Sequence, residues 1–395
     1  MLKKMKNGRK KAKSSSSESN YLPPEVWTLI LLPLPAKTLL KFRCVCKYWC
    51  SIIDDRDFID MHLQLCHINS GNNKLLLILE WLGCDGDEKW WLTLLDSKTL
   101  QNTSRIFWES AFYSYYIIGS CNGLLLLVQH DEYGNKEELR LWNPCIRKSL
   151  ILPTCPLPWY LFGTRFLLGY TSDCKDYKVV AFAFENAQVI VPEKIQFAVY
   201  TLRDQLWTVN TTTTSISMLE LSSLSTAVFF RGEAYWLANN DKQRSGLLTH
   251  LGSFNFDKER IAFLELPISL DKTSSLRFLF ILGESLAVFT ISKVSSSIWV
   301  LEQDNIKRPW TLWFSGESSW NGYALFKLCY SKHEKVLYCE SDGGYFVYTN
   351  KTYNIASCQV REFNKNMSSY SQLERYSESL VLSKGYGSCN LRVFP

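Results

Sequence analysis

The chain has 395 residues, 46% of them apolar and 21% charged, with 14 Trp, 20 Tyr and 22 Phe. So much apolar side chain with so little charge excludes a disordered or coiled-coil protein and leaves room for one small element beside one large β-rich domain. The net charge of +6 sits in a tail: Lys3, Lys4, Lys6, Arg9, Lys10, Lys11 and Lys13 are seven cations without an acid, and taking them from the chain's 44 leaves 37 against 38 acids, a near-neutral body with no basic field for a nucleic acid.

Residues 1–20 are basic and then serine-rich (Ser14 to Ser17, Glu18, Ser19) and bury too little apolar surface to offset the entropy of ordering, so a disordered tail is expected. Within it, Lys10, Lys11 and Lys13 form a weak nuclear-import patch, for which a solubilising tail is the plainer reading. The basic start meets serines rather than an apolar core, and no apolar run reaches 18 residues, so neither a secretory signal nor a membrane span is expected. The 13 cysteines, an odd number, are then expected to be reduced in a cytoplasmic and/or nuclear protein.

Residues 21–65 change character. Leu22-Pro23-Pro24 precedes a helix with Val26, Leu29, Ile30 and Leu31 on its apolar face, stopped by Pro33 and Pro35. A second short helix is expected to carry Leu39, Leu40 and Phe42, and a third Val45, Trp49 and Ile52 at positions i, i+4 and i+7. A segment this short buries only part of its surface by itself, yet it is apolar on more than one helical face. The surplus face needs a partner, in this chain or another.

From about residue 74 the helical period gives way to strand-length apolar runs at 74–80, 123–128, 139–142, 177–182, 196–202, 227–230 and onward to 344–348. An aromatic or apolar strand ending in a polar turn recurs. Anchoring it on Leu95, Trp142, Tyr200, Phe256, Trp299 and Tyr348 gives steps from 43 to 58 residues. Propeller blades repeat at about 40 to 50 residues. The expectation is a mainly β chain, a propeller-like domain of about six to seven blades over 74–390, with a sandwich or irregular barrel as the alternative.

The string Leu22-Pro23, Ile30-Leu31, Leu34-Pro35, Leu39-Leu40, Val45-Cys46-Lys47 and Trp49 resembles the F-box, element by element and in order. Further on, Gly119-Ser120-Cys121-Asn122-Gly123-Leu124, Leu141-Trp142-Asn143-Pro144-Cys145-Ile146-Arg147, Gly169-Tyr170 with Asp176-Tyr177-Lys178-Val179-Val180, Gly232 with Tyr235-Trp236-Leu237-Ala238, and Ser253 to Glu259 resemble the F-box-associated, kelch-like region of the large plant F-box family that includes S-locus F-box-like proteins. The resemblance covers about residues 21–355. It implies a three-helix F-box that docks on a Skp-type adaptor and through it a cullin, in an SCF-type ubiquitin ligase whose β domain holds an unknown target protein. On that resemblance Leu22, Pro23, Ile30, Leu31, Leu34, Pro35, Leu39, Leu40, Val45, Cys46 and Trp49 are adaptor-binding candidates, some facing the adaptor and others holding the helices together.

The remaining patterns carry less. Cys46, Cys50, His62 and Cys66 have a loosely zinc-like spacing, but no Cys-x2-Cys pair occurs and no metal or cofactor is expected. No nucleophile elbow, phosphate loop or His-Glu-x-x-His is present, and the five histidines form no constellation, so no catalytic residue is assigned. An oxidase or hydrolase propeller with a helical cap is the rival reading, a nucleic-acid binder through the tail a weaker one, and an F-box protein without a degradation target is inseparable by sequence. Asn122-Gly123 and Asn143-Pro144 read as turn chemistry rather than a binding constellation. Trp159, Trp207, Trp236, Trp310 and Trp313 read first as packing and second as target anchors.

Overall fold

The computed structural model describes residues 22–69, 75–84, 87–96, 102–108, 115–130, 137–157, 165–183, 194–213, 227–238, 248–267, 276–292, 295–302, 309–317, 325–331, 336–341, 344–349, 359–362, 371–382 and 392–393. Residues 1–21, with the import patch, and Trp159 lie outside them.

Four helices come first: α1 (Pro24–Leu31), α2 (Ala36–Phe42), α3 (Lys47–Ile53) and α4 (Arg56–Asn69). Prolines start the first two, with Pro23 and Pro35 at the caps and Pro24 in the first turn, where a missing N–H costs nothing. The Cys46 thiol caps α3 by accepting the Trp49 N–H at 3.4 Å, so Val45 and Cys46 precede that helix instead of lying within it. The Asp55 carboxylate accepts the N–H groups of Asp57 and Phe58 and so caps α4, one helix more than the three expected.

The strands then run in units. They are β1 (Leu75–Cys84), β2 (Asp87–Asp96) and β3 (Asn102–Trp108); then β4 (Tyr115–Cys121), β5 (Leu124–His130), β6 (Glu137–Asn143) and β7 (Lys148–Ile151). The third unit is β8 (Arg165–Thr171), β9 (Asp176–Ala183), β10 (Lys194–Thr201) and β11 (Leu206–Thr213). The fourth is β12 (Val228–Phe230), β13 (Glu233–Ala238), β14 (His250–Asn255) and β15 (Arg260–Glu265). The fifth is β16 (Leu276–Leu282), β17 (Ser285–Ile291), β18 (Ser295–Leu301) and β19 (Trp310–Glu317). The sixth is β20 (Leu325–Ser331), β21 (Val336–Ser341), β22 (Gly344–Thr349) and β23 (Gln359–Glu362), and β24 (Ser371–Tyr376) and β25 (Arg392–Val393) follow.

Among the described residues these form six antiparallel sheets, four of them simple meanders and two completed by a strand from the end of the chain, β24 beside β1 and β25 beside β7. The inner strands meet around an axis: β4 touches β24 and β8, and β20 touches β16 and β24. The described sheets make six blades of a propeller, within the expected range. Each repeat anchor lies on the third strand from the axis (Leu95 on β2, Trp142 on β6, Tyr200 on β10, Trp299 on β18, Tyr348 on β22) or, for Phe256, one residue beyond it on β14. The ring closes through β24, which pairs with β1 from Leu75↔Tyr376 to Glu80↔Ser371 as the inner strand of the first blade.

At one end of the propeller the turns β4–β5, β12–β13 and β16–β17 have only two residues each. Asn122 and Gly123 both have positive φ (50° and 79°), as do Arg231 and Gly232, the geometry that a two-residue hairpin needs and that Gly adopts without strain. Between blades the core is aromatic. Phe182 lies 6.0 Å from Trp236 and 5.9 Å from Phe254 across blades three and four. Trp236 is therefore core, and the Trp207 and Trp310 indoles donate to the Pro153 and Glu265 carbonyls, each at 2.9 Å, while Trp313 remains substantially exposed.

Candidate docking surface of the helical module

The four helices do not form a core of their own. Leu31, Ala36, Leu39, Ile53, Phe58, Ile59 and Leu63 are buried in one cluster with Leu124, Leu152, Tyr177, Leu380 and Val381 of the propeller. Full burial of a Leu or Phe side chain is worth about 1.5–3 kcal/mol, so this shared face fixes the module where it sits. Polar links run along its edges. Lys175 Nζ meets Asp57 at 2.9 Å, Lys37 Nζ meets Glu378 at 2.8 Å, and the Tyr170 hydroxyl donates to Asp60 at 3.4 Å.

That docking accounts for one of the surplus apolar faces and leaves the other in water. Leu29 is 70% exposed, Val45 61% and Ile30 46%, with Leu22 and Tyr48 also exposed. Trp27 packs at a tilt against Trp49 with ring centroids 5.1 Å apart, and Trp49 against Phe42 at 5.2 Å, so an aromatic cluster ties α1 and α2 to the start of α3. Cys44 and Cys46, the two neighbours of Val45, line a cleft of about 490 Å³ together with Arg43, Lys47, Cys50 and Asp54. The Arg43 guanidinium closes on Asp54 at 2.6 and 2.8 Å.

Burial sorts the adaptor-binding candidates. Leu22, Pro23, Ile30, Pro35, Val45 and Cys46 are exposed; Leu34, Leu40 and Trp49 are half-buried; Leu31 and Leu39 are fully buried and belong to the core. Leu29 and Tyr48 are exposed apolar positions absent from that set. Leu29 lay on the expected apolar face of the first helix, which was the only signal for it.

The zinc-like spacing resolves into other contacts. Cys46 caps α3, the Cys50 thiol points to Asp54, and His62 is buried with Nε2 2.9 Å from the Leu34 carbonyl oxygen. A carbonyl only accepts, so Nε2 carries the proton and donates, and Nδ1 is left facing the Cys66 thiol at 3.7 Å. Through this bond α4 holds the Leu34-Pro35 bend between α1 and α2. Burial pushes the imidazole below its ordinary 6.5, with the Leu34 bond opposing. A depressed folded value means that the unfolded chain takes the proton first as pH falls. The contribution is whole above the unfolded value and is lost as pH drops through the folded one. The thermal midpoint is therefore expected to fall between about pH 7.5 and about pH 5.5, and His62→Gln, which keeps a donor for Leu34, to shrink that drop. An equal drop in both proteins would remove His62 as the titrating group.

Two sequence families coincide with the two parts of this architecture. Residues 20–60 match the F-box domain and residues 95–384 the F-box associated beta propeller domain. The chain belongs to the family of F-box proteins that carry an F-box associated beta propeller. Among its relatives in Arabidopsis thaliana, F-box/kelch-repeat protein At3g23880 is 28% identical over 62% of this chain and 65% of its own length. F-box/WD-40 repeat-containing protein 1 is 26% identical over 76% and 70%, and F-box protein At3g22700 is 25% identical over 80% and 92%. The chain thus spans just under two thirds of the first of these and more of the others. Among solved structures, the β-propeller domain of the Trilobed protease from Pyrococcus furiosus aligns over 73% of this chain and 79% of its own at 9% identity, with a TM-score of 0.40, too loose a likeness to bear on function.

Proposed function

We propose that this chain is the non-catalytic substrate-recognition subunit of an SCF-type cullin-RING ubiquitin ligase, acting in the cytoplasm or nucleus. The observation that carries the reading is the divided F-box: one face is buried on the propeller and the other presents Leu29, Ile30 and Val45 to solvent. An apolar surface concentrated on so small a module is what a partner interface uses. The partner is a Skp-type adaptor, with the cullin beyond it.

The target protein is placed on the propeller end away from the helices. The helices occupy the end with the turns 122–123 and 172–175, whereas at the opposite end the sequence joins β9 to β10, β11 to β12, β13 to β14 and β15 to β16 by the connections 184–193, 214–227, 239–249 and 266–275. All but a few end residues of those segments lie outside the described residues. Connections of this kind carry recognition in many folds. Held by both ends, the receptor raises the effective concentration of the target near the ubiquitin-charged enzyme, and the transfer itself is performed by other subunits.

The test is co-purification of the full chain with a purified Skp-type adaptor and a cullin amino-terminal domain. A stoichiometric ternary complex on size exclusion supports the reading. A folded chain that elutes alone at micromolar concentrations of all three overturns it.

A further inference from the structure

After β24 the chain does not leave the propeller. It crosses the short-turn end toward the second blade, and three layers form there: the propeller floor, residues 376–382, and the helical module above. The floor holds this segment through Asn143, a fully buried residue. Its Nδ2 donates to the Ser379 carbonyl at 3.0 Å, the Ser379 hydroxyl at 3.1 Å and the Val381 carbonyl at 2.8 Å. Its Oδ1 accepts from the Cys145 N–H at 3.0 Å and from the Tyr376 hydroxyl at 3.2 Å. Gly123 lies beneath, where an added Cβ would stand 2.5 Å from the Ser377 carbonyl oxygen and from the Ser379 hydroxyl. On the upper side Leu380 and Val381 are buried in the same cluster as Leu31, Ala36 and Leu39, and Glu378 meets Lys37 of α2.

We infer that residues 376–382 are a positioning element that sets the orientation of the F-box on the propeller, and that Asn143 is the residue that holds it in place. A side chain serving five buried polar groups at once is costly to disturb: the Cys145 N–H and the Tyr376 hydroxyl still meet each other at 3.0 Å, but the Ser379 and Val381 groups each lose a donor away from water. The inference extends the turn reading of Asn143-Pro144: the turn is there, with the Arg147 N–H donating to the Pro144 carbonyl at 3.3 Å, but the Asn side chain serves a segment 236 residues away. Its consequence for ubiquitin transfer, a fixed span from adaptor to target, rests on the function proposed above. The orientation itself does not.

Zero-length carbodiimide crosslinking of the full chain, read by mass spectrometry, separates the two, since it needs neither adaptor nor target. Three ion pairs join the helices to the propeller: Lys37 to Glu378 on the segment, and Lys175 to Asp57 at 2.9 Å and to Asp60 at 4.0 Å, the last two touching neither the segment nor Asn143. In Asn143→Asp, isosteric but without the three donated bonds, the Lys37–Glu378 crosslink is expected to fall at least tenfold and the remote Lys175–Asp57 crosslink at least threefold. Loss of the first with full retention of the second, or retention of both, overturns the proposal. Should Asn143→Asp not fold, Glu378→Lys reads the same remote pair, with at least a twofold loss expected and recovery on adding Lys37→Glu. A remote pair indifferent to that swap overturns it equally.

Discussion

Leu29→Asp combined with Ile30→Asp is expected to weaken binding of a Skp-type adaptor at least 100-fold while leaving the thermal midpoint of the chain within about 2 °C of the parent. Both residues project from α1 into water, and substitutions at exposed positions usually move stability by no more than about 0.5 kcal/mol. A central interface residue, by contrast, costs about 2 kcal/mol or more when lost, and every 1.4 kcal/mol is about tenfold in affinity. Two carboxylates driven into an apolar contact add a desolvation cost to the contacts removed. The next residue gives the opposite result. Leu31 is fully buried at the junction with the propeller, and Leu31→Asp is expected to lower soluble yield and melting temperature before any adaptor is added. Isothermal titration beside differential scanning fluorimetry reads both effects. Unchanged affinity of a folded Leu29→Asp/Ile30→Asp protein would mean that the exposed face of α1 is not the adaptor surface.

The contrast between positions 29, 30 and 31 also marks how far the sequence reaches. Three apolar residues in a row announce a helix that is apolar on more than one side, but which side meets the chain's own propeller is a tertiary fact. The repeat anchored on Trp142, Tyr200 and Trp299 was legible because each blade rebuilds the same local strand, and local patterns are what a sequence displays. Helix α4 was hidden for a different reason. The F-box string ends at Trp49 and implies three helices, although Asp55 as a cap and Phe58, Ile59 and Leu63 as one face are a helix signal in their own right. The closure of the ring by β24 and the bonds of Asn143 to Ser379 and Val381 have no local signature at all. Asn before Pro looks like a turn wherever it occurs, and nothing nearby shows that its amide is spoken for by residues more than 230 positions on.

Gly169→Ala, one methyl group added to β8, is expected to cost about 3 kcal/mol, the upper part of the usual range for overpacking a filled core. A Cβ at 169 would stand 2.2 Å from Cε2 and 2.3 Å from Cζ of Phe256, inside van der Waals contact. The ring has nowhere to retreat: Phe256 is fully buried, with Phe229 at 5.7 Å and Phe254 at 5.2 Å. For a domain of this size that corresponds to a fall in melting temperature of roughly 6 °C. Phe256→Ala alone leaves a cavity and is itself expected to cost about 3–5 kcal/mol. In that background, however, the added methyl at 169 meets empty space, so the double variant should be no less stable than Phe256→Ala by more than about 0.5 kcal/mol, a non-additivity of over 2 kcal/mol that assigns the cost to this one contact. The neighbouring Tyr170 hydroxyl donates to Asp60 of α4, so position 169 adjoins the seat of the helices and not the exposed face of α1. Adaptor affinity of Gly169→Ala below its melting point should therefore equal that of the parent. Full additivity of the two substitutions in urea denaturation would show that the 2.2 Å approach is relieved elsewhere. A parallel loss of adaptor affinity would show that the propeller supports the docking surface, and not only the seat beneath it.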